Sequence, residues 1–234
     1  MTDELNFEVY LSISKEKYVI YLLDKKNLKN IYKKQLNIEN DTYLINGKLL
    51  SNFLDQNIFK IEKLIGTFLR SIVVIIENEK ILNFSIGIKK KNYGEKINKN
   101  YLESCLGELK DLFKENYQNN KIIHFIIQRY FTDGVDYKSF DQESDADHIC
   151  VEVNFISVPN ILIKEISNVL EKHQIKIDRL LEKRYIKNLF DGQLIDESII
   201  AFKVQNGYNQ NEIVLVPKSG KKTGIFEKFF QLFS

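Results

Sequence analysis

A run of carboxylates is the first place in this chain where residue types and spacing suggest chemistry. Between 133 and 147 stand Asp133, Asp136, Asp141, Glu143, Asp145 and Asp147, with His148 beside them, and clustered carboxylates are what a hard cation such as calcium requires. The register speaks against a metal loop. Its sixth position needs glycine for the sharp turn, where this run has Ala146. The expectation is a solvated acidic loop and no metal site. His124, His148 and His173 are the only histidines and fall in three different elements, so no zinc set has the usual pair of close ligands. Cys105 and Cys150 have neither metal nor redox spacing and read as buried thiols of a reducing compartment. A serine nucleophile would need a Gly-x-Ser-x-Gly turn, which the sequence lacks. No residue is nominated as catalytic, and the expectation is a protein that is not an enzyme.

The end of the sequence suggests a different chemistry. At helical spacing Ile225, Phe226, Phe229, Phe230, Leu232 and Phe233 share one arc, opposite Glu227, Lys228, Gln231 and Ser234. An interfacial helix of this kind enters the acyl boundary, while Lys218, Lys221, Lys222 and Lys228 face anionic headgroups. Docking on the protein's own core or on a partner groove is the alternative. One short helix gives reversible attachment, so avidity would have to strengthen it.

Composition sets the bounds. The 234 residues are 44% hydrophobic, enough for one good core or two small ones. Basic and acidic side chains number 34 and 32, a net charge of +2, too balanced for a nucleic-acid footprint. The beginning, Met1-Thr-Asp-Glu-Leu, lacks a basic region before an apolar run and predicts no signal peptide. Apolar runs such as Ile72 to Ile76 fall far short of the ~20 residues of a spanning helix, so a soluble or peripheral protein is expected.

The elements follow from periodicity. Phe7 to Ser14 alternates, Lys17 to Asp24 is continuously apolar, and Lys29 to Leu36 completes a three-stranded meander. Ser51 is the expected cap of a helix to about Leu69, with Leu54, Ile58, Ile61, Ile65 and Phe68 on its buried face, and a strand from Ser71 follows. Lys80 to Lys89 alternates into the basic turn Lys89-Lys-Lys91, and Ile97-Asn98 opens a helix to about Tyr117. His124 to Gly134 then reads as a long strand with an Asp133-Gly134 turn, followed past the acidic loop by a strand from Ile149 to Ile156. Val158-Pro159-Asn160 stops that strand and caps a helix to His173, and Ile175 to Leu181 is the next strand. Ser198 to Gln205 and Glu212 to Val216 around Asn206-Gly207 read as a hairpin that rejoins the first sheet.

The order from His124 to Phe190, strand, Asp-Gly turn, loop, strand, capped helix and the strand Ile175-Lys-Ile-Asp-Arg-Leu-Leu181, resembles the FtsA family of actin-like bacterial cell-division proteins. The resemblance implies a mixed α/β fold, with an actin-like first lobe at 1–80 and 159–216. An SHS2 (1C) subdomain of strand, helix, strand and strand is inserted at 81–158, followed by a linker at 217–223 and a membrane-targeting helix at 224–234. The family's second lobe is not expected in this sequence. In the family the first hairpin turn is the phosphate loop, and the residues aligned with it are Ser12-Ile13-Ser14-Lys15-Glu16-Lys17. Ser12 and Ser14 stand where the family loop has its acidic residue and glycine, and a side chain at the glycine position blocks close approach of backbone to phosphate. Ser12, Ser14 and Lys17 therefore mark a degenerate loop, with no cofactor and no ATP binding. Arg184 and Lys187 stand where the family carries small or apolar residues. The function implied is a non-catalytic adapter on the cytoplasmic face of the inner membrane. Its partners would be division proteins met through the 1C edge, the tubulin-like FtsZ among the candidates, an anionic membrane, and further copies of itself. A pilus or secretion assembly adapter of the same superfamily is the alternative, and a nucleotide switch is a further one.

Overall fold

The computed structural model describes residues 6–38, 45–92, 97–137 and 146–213. It opens with strands β1 (Phe7–Ile13), β2 (Lys17–Asp24) and β3 (Lys29–Asn37), then helix α1 (Gly47–Ile65) and strand β4 (Ser71–Ile76). After β5 (Leu82–Lys91) come α2 (Lys99–Asn116), β6 (Asn120–Thr132), β7 (Val135–Tyr137) and β8 (His148–Pro159). The chain continues through α3 (Asn160–Glu171), β9 (Lys176–Glu182), α4 (Lys183–Asn188) and α5 (Glu197–Gln205). The fold is mixed α/β, and it divides into two compact units.

The first unit comprises Met1–Ile81 and Val158–Tyr208. Its sheet has the order β3-β2-β1-β4-β9 and is itself mixed: β1, β2 and β3 form an antiparallel meander, while β4 lies parallel to β1 and to β9. Helices cover both faces, which is why the inner strands are apolar at nearly every position. One face, including Tyr10, Tyr21, Val73 and Leu181, meets Ile186 of α4 and Ile200, Ala201 and Val204 of α5. The alternate strand residues turn to the other face, where α1 seats Phe53 against the ring of Tyr18 at 6.3 Å.

Helix α1 begins a turn earlier than Ser51. Asn46 caps it, its side chain accepting the Leu49 amide at 3.0 Å, so Ser51 lies inside the helix. Gly66 ends it in the left-handed region at φ 73°, with its amide bonded to the Glu62 carbonyl. Phe68 therefore lies beyond the helix and is 70% exposed instead of buried. In α3, Asn160 is the first helical residue and Pro159 occupies the cap position, without a side-chain bond.

A larger difference concerns Ser198 to Gln205, which is the helix α5 and not the first strand of a hairpin. Its buried residues Ile200, Ala201 and Val204 fit one face of a single helical turn. Asn206-Gly207 ends the helix: Gly207, at φ 82°, and Tyr208 return their amides to the Val204 and Lys203 carbonyls.

Among the described residues the second unit holds 82–92, 97–137, 146–157 and 209–213. Its sheet runs β5-β8-β6-β7, with β5 antiparallel to β8. Asp133 and Gly134 both take positive φ, 48° and 85°, and close the hairpin of β6 and β7 as an Asp-Gly turn. Helix α2, capped by Asn98 through the Tyr101 amide, lays Leu102, Cys105, Leu106, Leu109 and Phe113 on the sheet. Leu112, in contrast, is about half exposed. Of the strand expected from Glu212 to Val216, residues 214–216 lie outside the described residues, and 209–213 do not rejoin the first sheet. They pair with β6: the Ile127 amide donates to the Asn211 carbonyl at 2.9 Å and the Ile213 amide to the Phe125 carbonyl at 2.7 Å. The linker at 217–223 and the helix at 224–234 lie outside the described residues.

Candidate functional site

In open α/β sheets, ligands bind outside the carboxyl ends of the parallel strands. In the first unit those ends are Ile13 on β1, Ile76 on β4 and Glu182 on β9. The turn from β1 to β2 closes on itself. The Ser14 hydroxyl donates to the Lys17 carbonyl at 3.1 Å and accepts the Lys17 amide at 3.3 Å, while the Ser14 amide donates to the same carbonyl. The side chain that stands in place of glycine is thus a structural part of the turn, and Lys17 contributes its backbone to it.

Ser12, one residue back from the strand end, is 1% exposed, and its hydroxyl donates to Glu197 Oε2 at 2.6 Å. Glu197 comes from the first turn of α5. Its other oxygen receives Lys187 Nζ at 3.0 Å and Lys183 Nζ at 3.4 Å. Lys183, 5% exposed, lies 3.3 Å from Glu77 Oε2, and Arg184 Nε reaches Glu77 Oε1 at 3.2 Å. Glu77 is held in place because its amide prolongs the parallel ladder, donating to the Ile13 carbonyl at 3.0 Å. Glu182 orients the cations from below: it caps α4 by accepting the amides of Arg184 and Tyr185. A buried ammonium is tolerable only when paired, and here two carboxylates flank it.

Burial would push both carboxylates up, and in both the partners overcome it. Glu197 is held below the usual range by the Ser12 hydroxyl, Lys183 and Lys187, and Glu77 by Arg184 and Lys183. A cavity of about 400 Å³ adjoins the cluster. Ile13, Ile38 and Ile76 are among its apolar lining, while Lys15, Lys80 and Arg184 face Glu16, Glu77 and Glu79. Three cations against three carboxylates give this lining no positive excess for a polyphosphate, and Lys15 lies 4.0 Å from Glu79.

No family model matches the chain, and no curated protein matches it. Solved structures do. The chain aligns over 77% of its length with a PilM-PilN type IV pilus biogenesis complex, at 12% identity, TM-score 0.48 and 48% of that chain. It aligns, also over 77%, with the cytoplasmic domain of EpsL, an inner membrane component of the Vibrio cholerae type II secretion system, at 14% identity, TM-score 0.39 and 58% of that chain. A third alignment covers 83% of it and 61% of a Bacteroides thetaiotaomicron protein described as having an actin-like ATPase fold and unknown function, at 11% identity and TM-score 0.36. The chain thus spans roughly half to three-fifths of these proteins. The actin-like fold among them is the fold that the sequence resemblance implied, and none of the three is described as a cell-division protein. At these scores the likenesses carry no argument about function.

The remaining candidates are scattered. His124 is buried against Glu212 at 2.7 Å, and His148 and His173 lie 3.7 Å from Asp133 and Asp55. Asp133 accepts the amides of Asp147 and His148 at 3.0 and 2.9 Å, so its carboxylate secures the return of the loop. Among the described residues no group of side chains could hold a metal. Asp141, Glu143 and Asp145 lie outside them. Cys105 and Cys150 are free, and burial raises both thiols. No helix among the described residues is long and apolar enough to cross a membrane. The lipid-contact residues Ile225, Phe226, Phe229, Phe230, Leu232 and Phe233, with Lys221, Lys222 and Lys228, fall outside the described part. Sequence reasoning missed Glu77, Lys183 and Glu197. Lys183 carried a signal, a charge directly after a strand, whereas Glu197 carried none once its helix was taken for a strand.

Proposed function

We propose that this chain is a non-catalytic actin-like assembly adapter that works without bound nucleotide. The observation that carries the reading is the ionic cluster at the strand ends, where Ser12 is bonded to Glu197 and the nearby cations are matched by Glu77 and Glu197. A nucleotide phosphate entering there would meet two carboxylates and displace buried pairs, a cost of several kcal/mol per uncompensated ion. The test is titration calorimetry of the chain with magnesium ATP and ADP. Heats no different from dilution are expected, and saturable micromolar binding would overturn the reading.

Among assembly systems, cell division and pilus or secretion assembly are the two candidates. Descriptions of two solved structures name the components to try first. Location at the cytoplasmic face of the inner membrane, through residues 224–234, belongs to the same proposal. Pull-down against purified pilus, secretion and division components separates the two systems: capture by one set alone selects that system, and capture by neither would overturn the assembly role.

A further inference from the structure

Glu197 has the surroundings of a bound ligand. Three donors from separate positions converge on its carboxylate: the Ser12 hydroxyl from β1 at 2.6 Å, and the Lys183 and Lys187 ammonium groups from α4 at 3.4 and 3.0 Å. Ser12 is 1% exposed and Lys183 5%. A hydroxyl and two cations directed at two oxygens is the coordination that carboxylate and phosphate oxyanions share. The cradle and its occupant belong to different elements, since β1 and α4 supply every donor and α5 supplies the acceptor. Lys183 also keeps a second carboxylate, Glu77 at 3.3 Å, so removing the occupant does not leave that ammonium without a counter-charge. The Lys187 side chain is 49% exposed, which opens one side of the cradle to solvent.

We propose that Ser12, Lys183 and Lys187 form a site for a small oxyanion, a phosphate or a carboxylate, that the chain fills with its own Glu197. The inference deepens the nucleotide-free reading and rests on it. Free phosphate is kept out because an acceptor on the same chain, present at high effective concentration, already holds the donors. The site is therefore closed by competition, and shortening one side chain opens it.

The experiment compares Glu197→Ala and Glu197→Ser, which vacate the cradle, with Glu197→Gln, which fills the same volume. Thermal unfolding is followed in inorganic phosphate and in chloride of matched ionic strength. Phosphate should raise the Tm of the Ala and Ser variants in a saturable manner, by about 3 °C, and move the Gln variant and the parent chain by less than about 1 °C. Adding Lys183→Met to Glu197→Ala should abolish the rise. Recovery of the Ala and Ser variants in phosphate but not in chloride also supports the site. Folded variants indifferent to phosphate would overturn it, as would variants that fold in neither salt, or a rise that survives Lys183→Met. ATP binding by the unsubstituted chain is a separate result and sinks the nucleotide-free reading, whatever the variants do.

Discussion

Glu77 and Glu197 titrate below the ordinary carboxylate range despite their burial, and this fixes how acid acts on the first unit. A carboxylate whose folded pKa is depressed binds fewer protons folded than unfolded, so its stabilising effect is complete above the unfolded value and disappears as pH falls through the folded one. Melting temperature should be flat down to about pH 5 and then fall steeply towards about pH 3. A curve flat to pH 3 would show that the pairs are not held as described. Lys183→Met tests the same cluster from the other side. Taking the ammonium away leaves Glu77 and Glu197 without their shared partner, and the cost expected in urea unfolding is about 3–5 kcal/mol. A loss below about 1 kcal/mol would mean that the pairs are worth no more than surface ones.

Among the elements, α1 and α5 show what a sequence does and does not disclose. The buried stripe of α1 was legible at Leu54, Ile58 and Ile61, because apolar spacing of three and four identifies a helix face. Its start was not, since Asn46 and Ser51 are both good caps and only the Leu49 amide decides between them. Asn46→Ala should therefore destabilise by about 1 kcal/mol, and Ser51→Ala by less than about 0.5. Equal effects would place the start of the helix elsewhere. Helix α5 was illegible because Ile199-Ile-Ala-Phe202 is apolar at successive positions and shows neither period. Misreading it concealed Glu197, so Ser12 on β1 and Ser14 in the turn could be read from the sequence while the carboxylate bound to Ser12 could not. The strand expected from Glu212 was assigned to the wrong sheet for a different reason: which sheet edge a short strand joins depends on which edge is open. Glu212→Ala, which takes the carboxylate from buried His124, should cost about 1–3 kcal/mol. It should also speed hydrogen exchange at the Ile127 and Ile213 amides, and unchanged exchange would show that backbone pairing alone holds the segment.

At the scale of the whole molecule, the proposed adapter role depends on residues 224–234 reaching lipid. A chain ending at 223 should stay in the supernatant when mixed with anionic vesicles, while the full chain sediments with them in a salt-sensitive way. Sedimentation of both forms would remove the tail from the reading. The strand, helix and strand order of the second unit was legible because each element has its own period, and the mixed fold was implied by the family resemblance, whereas the return of the chain to that unit after α5 involves distant residues and leaves no local trace. That return has a practical consequence. Phe7 opens the first unit's sheet, and Ile213 pairs within the second unit's sheet. Fluorophores attached near these two residues would sit on different bodies, and energy transfer between them would report any hinge motion when an assembly partner is added.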